Sequence, residues 1–299
     1  GNTIATDDLE TEIALERFKN RIQSTESGLR KNRFVFRKHF VPFLRVAAVF
    51  LMLFTVGSVF YYWGSSSVPK QPDVMNRLLT ANGSKGRFVL PDSTVVWLNS
   101  NSLLEYPETF SSSAREVSLS GEAYFEVEAD RERPFYVNTP AGLSVYVYGT
   151  KFNVNAYEDD NSIETVLEKG KVNVISPDGK TTVQLAPGER LLYNKADQKL
   201  MKGKVDVYEK VAWKDGKLIF RNAELDEIFK RLARHFNVDI QFNNISGKEY
   251  KYRATFRNET LPQILDYLAK SAALKWRTEE AVQQADDTFT KKKIIVDLY

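Results

Sequence analysis

The sequence contains no cysteine and only two histidines, His39 and His235, which lie far apart in the chain. The lack of cysteine excludes disulfide bonds, thiolate nucleophiles and cysteine-ligated zinc or iron–sulfur sites. Two isolated histidines leave little for another metal centre or for Ser-His catalysis, and the run 83–86 lacks the spacing of a phosphate-binding loop. We therefore expect no cofactor, no metal and no enzymatic activity.

An excess of one sign of charge is found only in the N-terminal part of the chain. The net charge is +3, and residues 1–45 hold nine Lys or Arg against six Asp or Glu. The remaining chain is therefore neutral, whereas a nucleic-acid-binding domain usually shows a basic face and a pI above ~9. Direct nucleic-acid binding is not expected.

An uncharged run of eighteen residues, 46–63, follows this basic region. A helix needs roughly 20 apolar residues to cross a bilayer, so we predict a transmembrane helix over 39–64. Basic residues precede the run and few follow it, which predicts a single-pass inner-membrane protein with a cytoplasmic N-terminus and a periplasmic C-terminus. A cleaved export signal and a buried core helix are the alternatives.

The segment before this run, within a predicted cytoplasmic region 1–38, has helical periodicity. Ala14, Phe18 and Ile22 recur every four residues and would form one apolar stripe. A single helix cannot bury such a stripe, so these three residues are predicted to contact a cytoplasmic partner or further helices. The alternative is a frayed tail beside the membrane.

After a predicted linker, 65–81, residues 82–210 break into short segments that alternate apolar and polar residues. Pro, Gly, Asp and Ser punctuate them at spacings typical of an all-β sandwich or a short solenoid. Glu122, Glu126 and Glu128 share strand parity and resemble a glycosidase or cation site. Carboxylate catalysis requires a pair on opposite sides of a bond, about 5–9 Å apart, so we interpret these residues as a solvated strand face.

The pattern changes to α+β over residues 211–299. Two apolar stripes with helical spacing are expected to pack in the core, one helix capped by Asn222 and the other by a Thr260–Gln263 capping box. His235 is interpreted as a cation at a helix C-terminus. The order βαββαββ predicts a small open sheet with two helices on one face, whose exposed edges at 217–221 and 292–298 would accept a partner strand.

Six motifs in the β-rich region resemble the FecR-type anti-sigma regulators. They are LPDSTVVWLN (90–99), LSGEAYFEV (119–127), RPFYV (133–137), GTKFNV (149–154), EKGKV (168–172) and LAPGE (185–189). Ser93-Thr94 stand where the family commonly has Gly-Ser. The last region, from 213 to about 243, is similar to the C-terminal domain of these regulators, which is akin to the short N-terminal modules of secretins and TonB-dependent receptors.

The resemblance implies a transmembrane anti-sigma factor that works through protein–protein contacts. Its expected partners are an extracytoplasmic-function sigma factor in the cytoplasm and the signalling domain of a TonB-dependent outer-membrane receptor in the periplasm. Two alternatives remain: a membrane-anchored periplasmic module that binds a glycan or small ligand, and a structural component of an export apparatus.

Overall fold

The structure is a computed structural model that describes residues 15–20, 35–65, 74–284 and 287–299. The chain divides into two compact units, Gly1–Gln71 and Pro72–Tyr299. The first contains a helical segment at 15–20 and the helix α1 (Val35–Ser65). Residues 39–64 are thus helical, as predicted. Among the described residues, however, no helix combines the length and the apolar character needed to cross a membrane.

Thirteen strands form one curled sheet at the start of the second unit, which we call the β domain. The strands are β1 (Met75–Leu79), β2 (Gly86–Val89), β3 (Val95–Leu98), β4 (Leu103–Pro107), β5 (Arg115–Glu126), β6 (Phe135–Asn138), β7 (Ser144–Val147), β8 (Lys151–Ala156), β9 (Ser162–Lys169), β10 (Val172–Ile175), β11 (Thr182–Leu185), β12 (Glu189–Asn194) and β13 (Leu200–Lys204). The predicted all-β domain is confirmed. It includes β1, which lies in the stretch predicted as a linker and is held by antiparallel pairing with β4.

The twelve-residue strand β5 joins the two halves of this sheet. Its first half pairs with β4 and β6, and its second half pairs with β3 and β8. The partners change at Gly121, where φ is 108° and an added Cβ would lie 2.3 Å from Ser102 Oγ. Only glycine fits at position 121, because a side chain there would collide with Ser102, the residue just before β4. We call the strands on the β4–β6 side half-sheet A and those on the β3–β8 side half-sheet B.

Alternating side chains from both halves fill a single apolar core. Phe125 and Phe152 stack with ring centroids 5.1 Å apart, and Phe135 lies 6.0 Å from Phe125. All three side chains are fully buried. The period-two pattern of the sequence therefore places one face of most strands in the core and the other outside.

A short helix, α2 (Val207–Val211), and a 3₁₀ turn (Ala212–Asp215) lead from β13 into the C-terminal domain. Its elements are β14 (Leu218–Glu224), α3 (Leu225–Phe236), β15 (Asp239–Asn244), β16 (Lys251–Phe256), α4 (Leu261–Ser271), β17 (Leu274–Glu279) and β18 (Lys293–Leu298). The order βαββαββ agrees with the prediction, and the capping box of Thr260 and Gln263 opens α4.

Two details of this domain differ from the predictions. The strands form two sheets instead of one: β14 pairs with β16, and β18 lies between β15 and β17. Asn222 is not a helix cap, because it adopts φ of 60° in a bulge of β14 while α3 begins after Glu224.

The edges predicted for strand addition are not open in this arrangement. Within the segment 292–298, residues 293–298 form β18, which is paired on both sides, parallel to β15 and antiparallel to β17. The outer edge of 217–221 is covered, because Arg231 donates to Ile219 O (3.0 Å) and the Arg221 N–H donates to Glu209 Oε1 (3.2 Å). Sequence periodicity identified both strands but not their neighbours.

Candidate functional site at the junction of the two domains

The C-terminal domain is joined to the β domain through charged side chains of α3. Arg234 donates to both carboxylate oxygens of Asp160, at 2.6 and 3.0 Å, and to Asp159 at 2.8 Å. Lys230, one turn earlier, lies 2.5 Å from Asp160 Oδ1. Both aspartates belong to the loop between β8 and β9, so one face of α3 is fixed to one loop of the β domain.

The same arginine also packs on an aromatic ring. Its guanidinium lies 3.9 Å from the centroid of the Tyr157 ring, whose hydroxyl donates to Ser100 O at 2.7 Å. The Ser100 hydroxyl donates in turn to Arg234 O at 3.0 Å. The Arg234 guanidinium therefore binds a carboxylate and packs on an aromatic face, two contacts for which it is better suited than the ammonium of lysine. The backbone carbonyl of Arg234 adds a third contact.

Asp160 is half-buried among these cations. Burial by itself would raise the pKa of its carboxyl, but the hydrogen bonds from Arg234 and Lys230 lower the pKa below its ordinary value. The carboxylate is consequently ionised throughout the physiological pH range, and the contact between the domains keeps its charge pairing.

Glu122 of β5 lies beneath the junction and is 9% exposed. Asn99 and Asn153 donate their side-chain N–H groups to its two carboxylate oxygens, at 2.7 and 2.9 Å. Burial raises its pKa, and these two hydrogen bonds oppose that shift. The interpretation of a solvated carboxylate face is therefore wrong for Glu122, although Glu128 is exposed and Glu126 pairs with Lys151.

The covering element is the segment that enters the C-terminal domain. Trp213 in the 3₁₀ turn is 3% exposed and donates its indole N–H to Asn153 Oδ1 at 3.2 Å. Lys85 from the β domain donates to Trp213 O at 2.7 Å. Tyr124 and Trp97 complete this aromatic contact with ring centroids 5.6 Å apart. One part of the outer face of half-sheet B is thus covered by residues far away in sequence.

A cavity of about 130 Å³ remains between the two domains. Acids and bases both line it, including Glu122, Glu164, Lys210 and Arg231. His235 lies there too: burial, with the positive charges of Lys85 and Arg231, lowers its pKa to about 4. The interpretation of His235 as a helix-terminal cation is wrong, because the imidazole is neutral at pH 7.

This arrangement fits a regulated contact better than a catalytic centre. Glu122, Asp159 and Asp160 are each bound to an amide or a cation, and no group of residues in the described ranges could hold a metal ion. Of the cytoplasmic contact residues predicted from the sequence, Phe18 is 66% exposed on the segment 15–20. Ala14 and Ile22 lie outside the described residues.

Two family models match the chain. The model described as FecR protein matches residues 76–173, within the β domain, and the model described as FecR, C-terminal matches residues 217–283. A comparison with curated proteins gave no match.

Solved structures extend the likeness to the arrangement of both domains. A crystal structure at 1.65 Å resolution of a proposed anti-sigma factor from Parabacteroides distasonis has a TM-score of 0.65 and 28% identity, covering 74% of this chain and 98% of that one. A second, at 2.50 Å resolution and with the same description and organism, has a TM-score of 0.66 and 27% identity, covering 76% and 100%.

Proposed function

From the premise that the chain belongs to the FecR family of anti-sigma factors, we propose that it relays a signal from a periplasmic receptor domain to a sigma factor across the inner membrane. The family is regulatory and not enzymatic, so the expectation that the chain is not an enzyme is confirmed. Family membership also implies a sigma factor as the partner in general. The class of sigma factor, the receptor and the membrane location belong to our proposal.

The junction of the two domains is the observation that carries the relay. A partner that binds the C-terminal domain acts on α3, and α3 bears the side chains, Lys230 and Arg234, that contact the β domain. Charged contacts with a cavity beside them can separate at lower cost than an apolar core, because each ion regains water. The C-terminal domain can therefore change its contact with the β domain while both remain folded.

The receptor's signalling domain is expected to add a strand to β15. Asp239 N–H donates to Lys292 O and Ile245 N–H donates to Leu298 O, at 3.0 and 2.9 Å. In a parallel pair the residues that bond to the neighbour alternate, so Ile240, Phe242 and Asn244 direct their backbone groups away from β18. This edge replaces the two edges expected from the sequence.

Because the chain has no cysteine, a single introduced cysteine reports one position. We would incubate the full chain carrying Asn244→Cys with signalling domains of TonB-dependent receptors that bear an edge-strand cysteine. The matched control is Lys180→Cys, at an exposed turn of the β domain. A disulfide-linked complex with Asn244→Cys alone supports the proposal. Equal linkage of both variants, or none while the wild type still binds, contradicts strand addition at β15.

The cytoplasmic contact is proposed for the segment 15–20, where Leu15 and Phe18 are 60% and 66% exposed. We expect an extracytoplasmic-function sigma factor to bind there through these apolar side chains. Replacing Leu15 and Phe18 by Glu should weaken its co-purification with the full chain by about tenfold or more, because two apolar side chains lose their burial. Lys19→Ala on the same segment is the control. Undiminished binding of the Leu15/Phe18 variant contradicts this assignment.

The inner-membrane location is supported by the uncharged run 46–63 and by the basic residues that precede it. Fractionation of cells that produce the full chain should recover it with the inner membrane after carbonate extraction. Added protease should digest residues 74–299 in spheroplasts while leaving the N-terminal part intact. Recovery in the soluble fraction would contradict the location.

A further inference from the structure

The outer face of half-sheet A carries an aromatic and amide row that the relay does not use. Strand register places five side chains side by side across β5, β6, β7, β10 and β11. In order these are Glu116, Tyr136, Tyr146, Asn173 and Gln184. Their strand neighbours in sequence, such as Val137 and Val145, point into the core and are fully buried. The row therefore lies on the solvent side of the sheet.

Three tyrosines form a continuous strip on this face. The ring centroids of Tyr136 and Tyr146 are 5.6 Å apart, and those of Tyr146 and Tyr148 are 6.3 Å apart. Tyr148 is 45% exposed and the other two are half-buried. A ring face is electron-rich, so the strip offers a surface on which weakly polarised C–H groups can lie.

Neutral hydrogen-bonding groups border the strip. Gln184 Nε2 donates to Asn173 Oδ1 at 3.3 Å, a bond that uses one of the two amide protons of Gln184 and neither amide proton of Asn173. On the next row the Ser144 hydroxyl donates to Asn138 Oδ1. Within the row of five side chains Glu116 is the one charged residue, and Glu105 of β4, on the same face, is paired with Arg77 at 2.6 Å. This composition is poorly matched to a phosphate backbone or an anionic lipid surface.

We propose that this face binds a neutral glycan, with pyranose rings on the tyrosine strip and hydroxyl groups on the amides of Asn173 and Gln184. A sugar ring has one face of C–H groups and a rim of hydroxyls that both donate and accept hydrogen bonds. The tyrosine strip matches the first feature, and the amides match the second, since each amide offers a donor and an acceptor. The row crosses five adjacent strands, and this length suits a chain of several sugars.

Cross-strand tyrosine pairs also stabilise sheets on their own. A role confined to stability predicts that removing the rings lowers the unfolding midpoint and that the unaltered chain binds no glycan. The experiment therefore measures binding and unfolding on the same variants.

Affinity electrophoresis of the full chain in native gels that contain hydroxyethyl cellulose, xylan, mannan or amylopectin tests the proposal. We expect at least one of these neutral polysaccharides to retard the wild-type chain. The double variant Tyr146→Ala/Tyr148→Ala should bind it about tenfold more weakly, the size of a lost aromatic contact. The matched control is Tyr208→Ala/Tyr267→Ala, whose tyrosines are 44% and 51% exposed on other surfaces.

Urea denaturation shows whether the tyrosine variant is folded. If it is not, the variant Asn173→Ala/Gln184→Ala tests glycan binding instead, because it keeps all three tyrosine rings. Weaker retardation of that variant supports the glycan site. The proposal is overturned if none of the four polysaccharides retards the wild type, if the variants and controls are retarded equally, or if the face binds only a protein partner.

Discussion

The interior of the β domain and the junction with the C-terminal domain both contain ion pairs, but the surroundings of these pairs differ. The β domain has an apolar core in which one ion pair, Arg115 with Asp92 at 2.8 Å, has side chains that are 1% and 6% exposed. At the junction, Arg234 and Asp160 remain 17% and 15% exposed beside a cavity. A contact that keeps access to water can open and close, whereas a sealed one unfolds with its domain.

The largest effect is expected inside the β domain. Asp92→Ala leaves the Arg115 guanidinium buried without its carboxylate, and Arg115 Nη2 already has no hydrogen-bond partner. We expect the free energy of unfolding to fall by about 3–5 kcal/mol, measured by urea denaturation. Asp130→Ala is the control, because its partner Arg133 is 39% exposed and such pairs contribute about 0–1 kcal/mol. Equal effects of the two changes would remove the distinction between sealed and open pairs.

A smaller effect with a different character is expected at the junction. Asp160→Ala removes the carboxylate shared by Lys230 and Arg234, and we expect a loss of about 1–3 kcal/mol. The loss should appear as separate unfolding of the C-terminal domain, with hydrogen exchange rising in α3 but not in β5. Asp197→Ala, whose partner Lys199 is largely exposed, is the control. A single unchanged transition would show that the junction does not couple the domains.

His235 makes the junction sensitive to pH. Its pKa is about 4 in the folded chain against an ordinary 6.5, so the unfolded chain binds more protons between these values. Stability should therefore fall as the pH drops from about 6.5 towards 4 and should not depend on this group above that range. Comparing melting temperatures of the wild type and His235→Gln at pH 7 and pH 5 isolates the histidine, since the opposing effect of Glu122 is present in both. Identical pH profiles would contradict the assignment.

The smallest effect concerns the turn where this chain departs from the family pattern. Ser93 adopts φ of 70°, a left-handed conformation that costs a side chain about 1 kcal/mol relative to glycine. Ser93→Gly should raise the free energy of unfolding by about 0.5–1 kcal/mol, offset in part by the greater freedom of the unfolded chain. Ser84→Gly, at a position whose own φ is not positive, should not stabilise. A destabilising Ser93→Gly would show that the turn is not strained.

The elements of both domains were predictable because each depends on local periodicity. Alternation identified the strands around Phe125 and Phe135, and the 3.6-residue period identified α3 and α4. The capping box of Thr260 and Gln263 marked the start of α4 because its two hydrogen bonds span only three residues. Local patterns did not give strand order, since β14 and β16 pair across α3 and β15.

The candidate site was largely missed for the same reason. Alternation places Glu122 and Glu126 on one face of β5, but it does not reveal that Trp213, ninety-one positions after Glu122 in the numbering, covers one end of that face. His235 was recognised at a helix end, but the local pattern shows neither its burial nor the nearby charge of Lys85, which lies far away in sequence; Arg231 is on the same helix. One signal for the site was available in the sequence. Glu122 and the two asparagines that bind it, Asn99 and Asn153, all lie in the family motifs.

Composition, period and motif are properties of neighbouring residues, so the sequence alone establishes the β-rich and α+β domains, the family and the absence of cysteine chemistry. The open edges, the buried carboxylates and the place where the two domains meet are visible only in the folded chain. Those properties depend on groups that are distant in the chain, and burial and charge pairing arise only when folding brings such groups within a few ångströms.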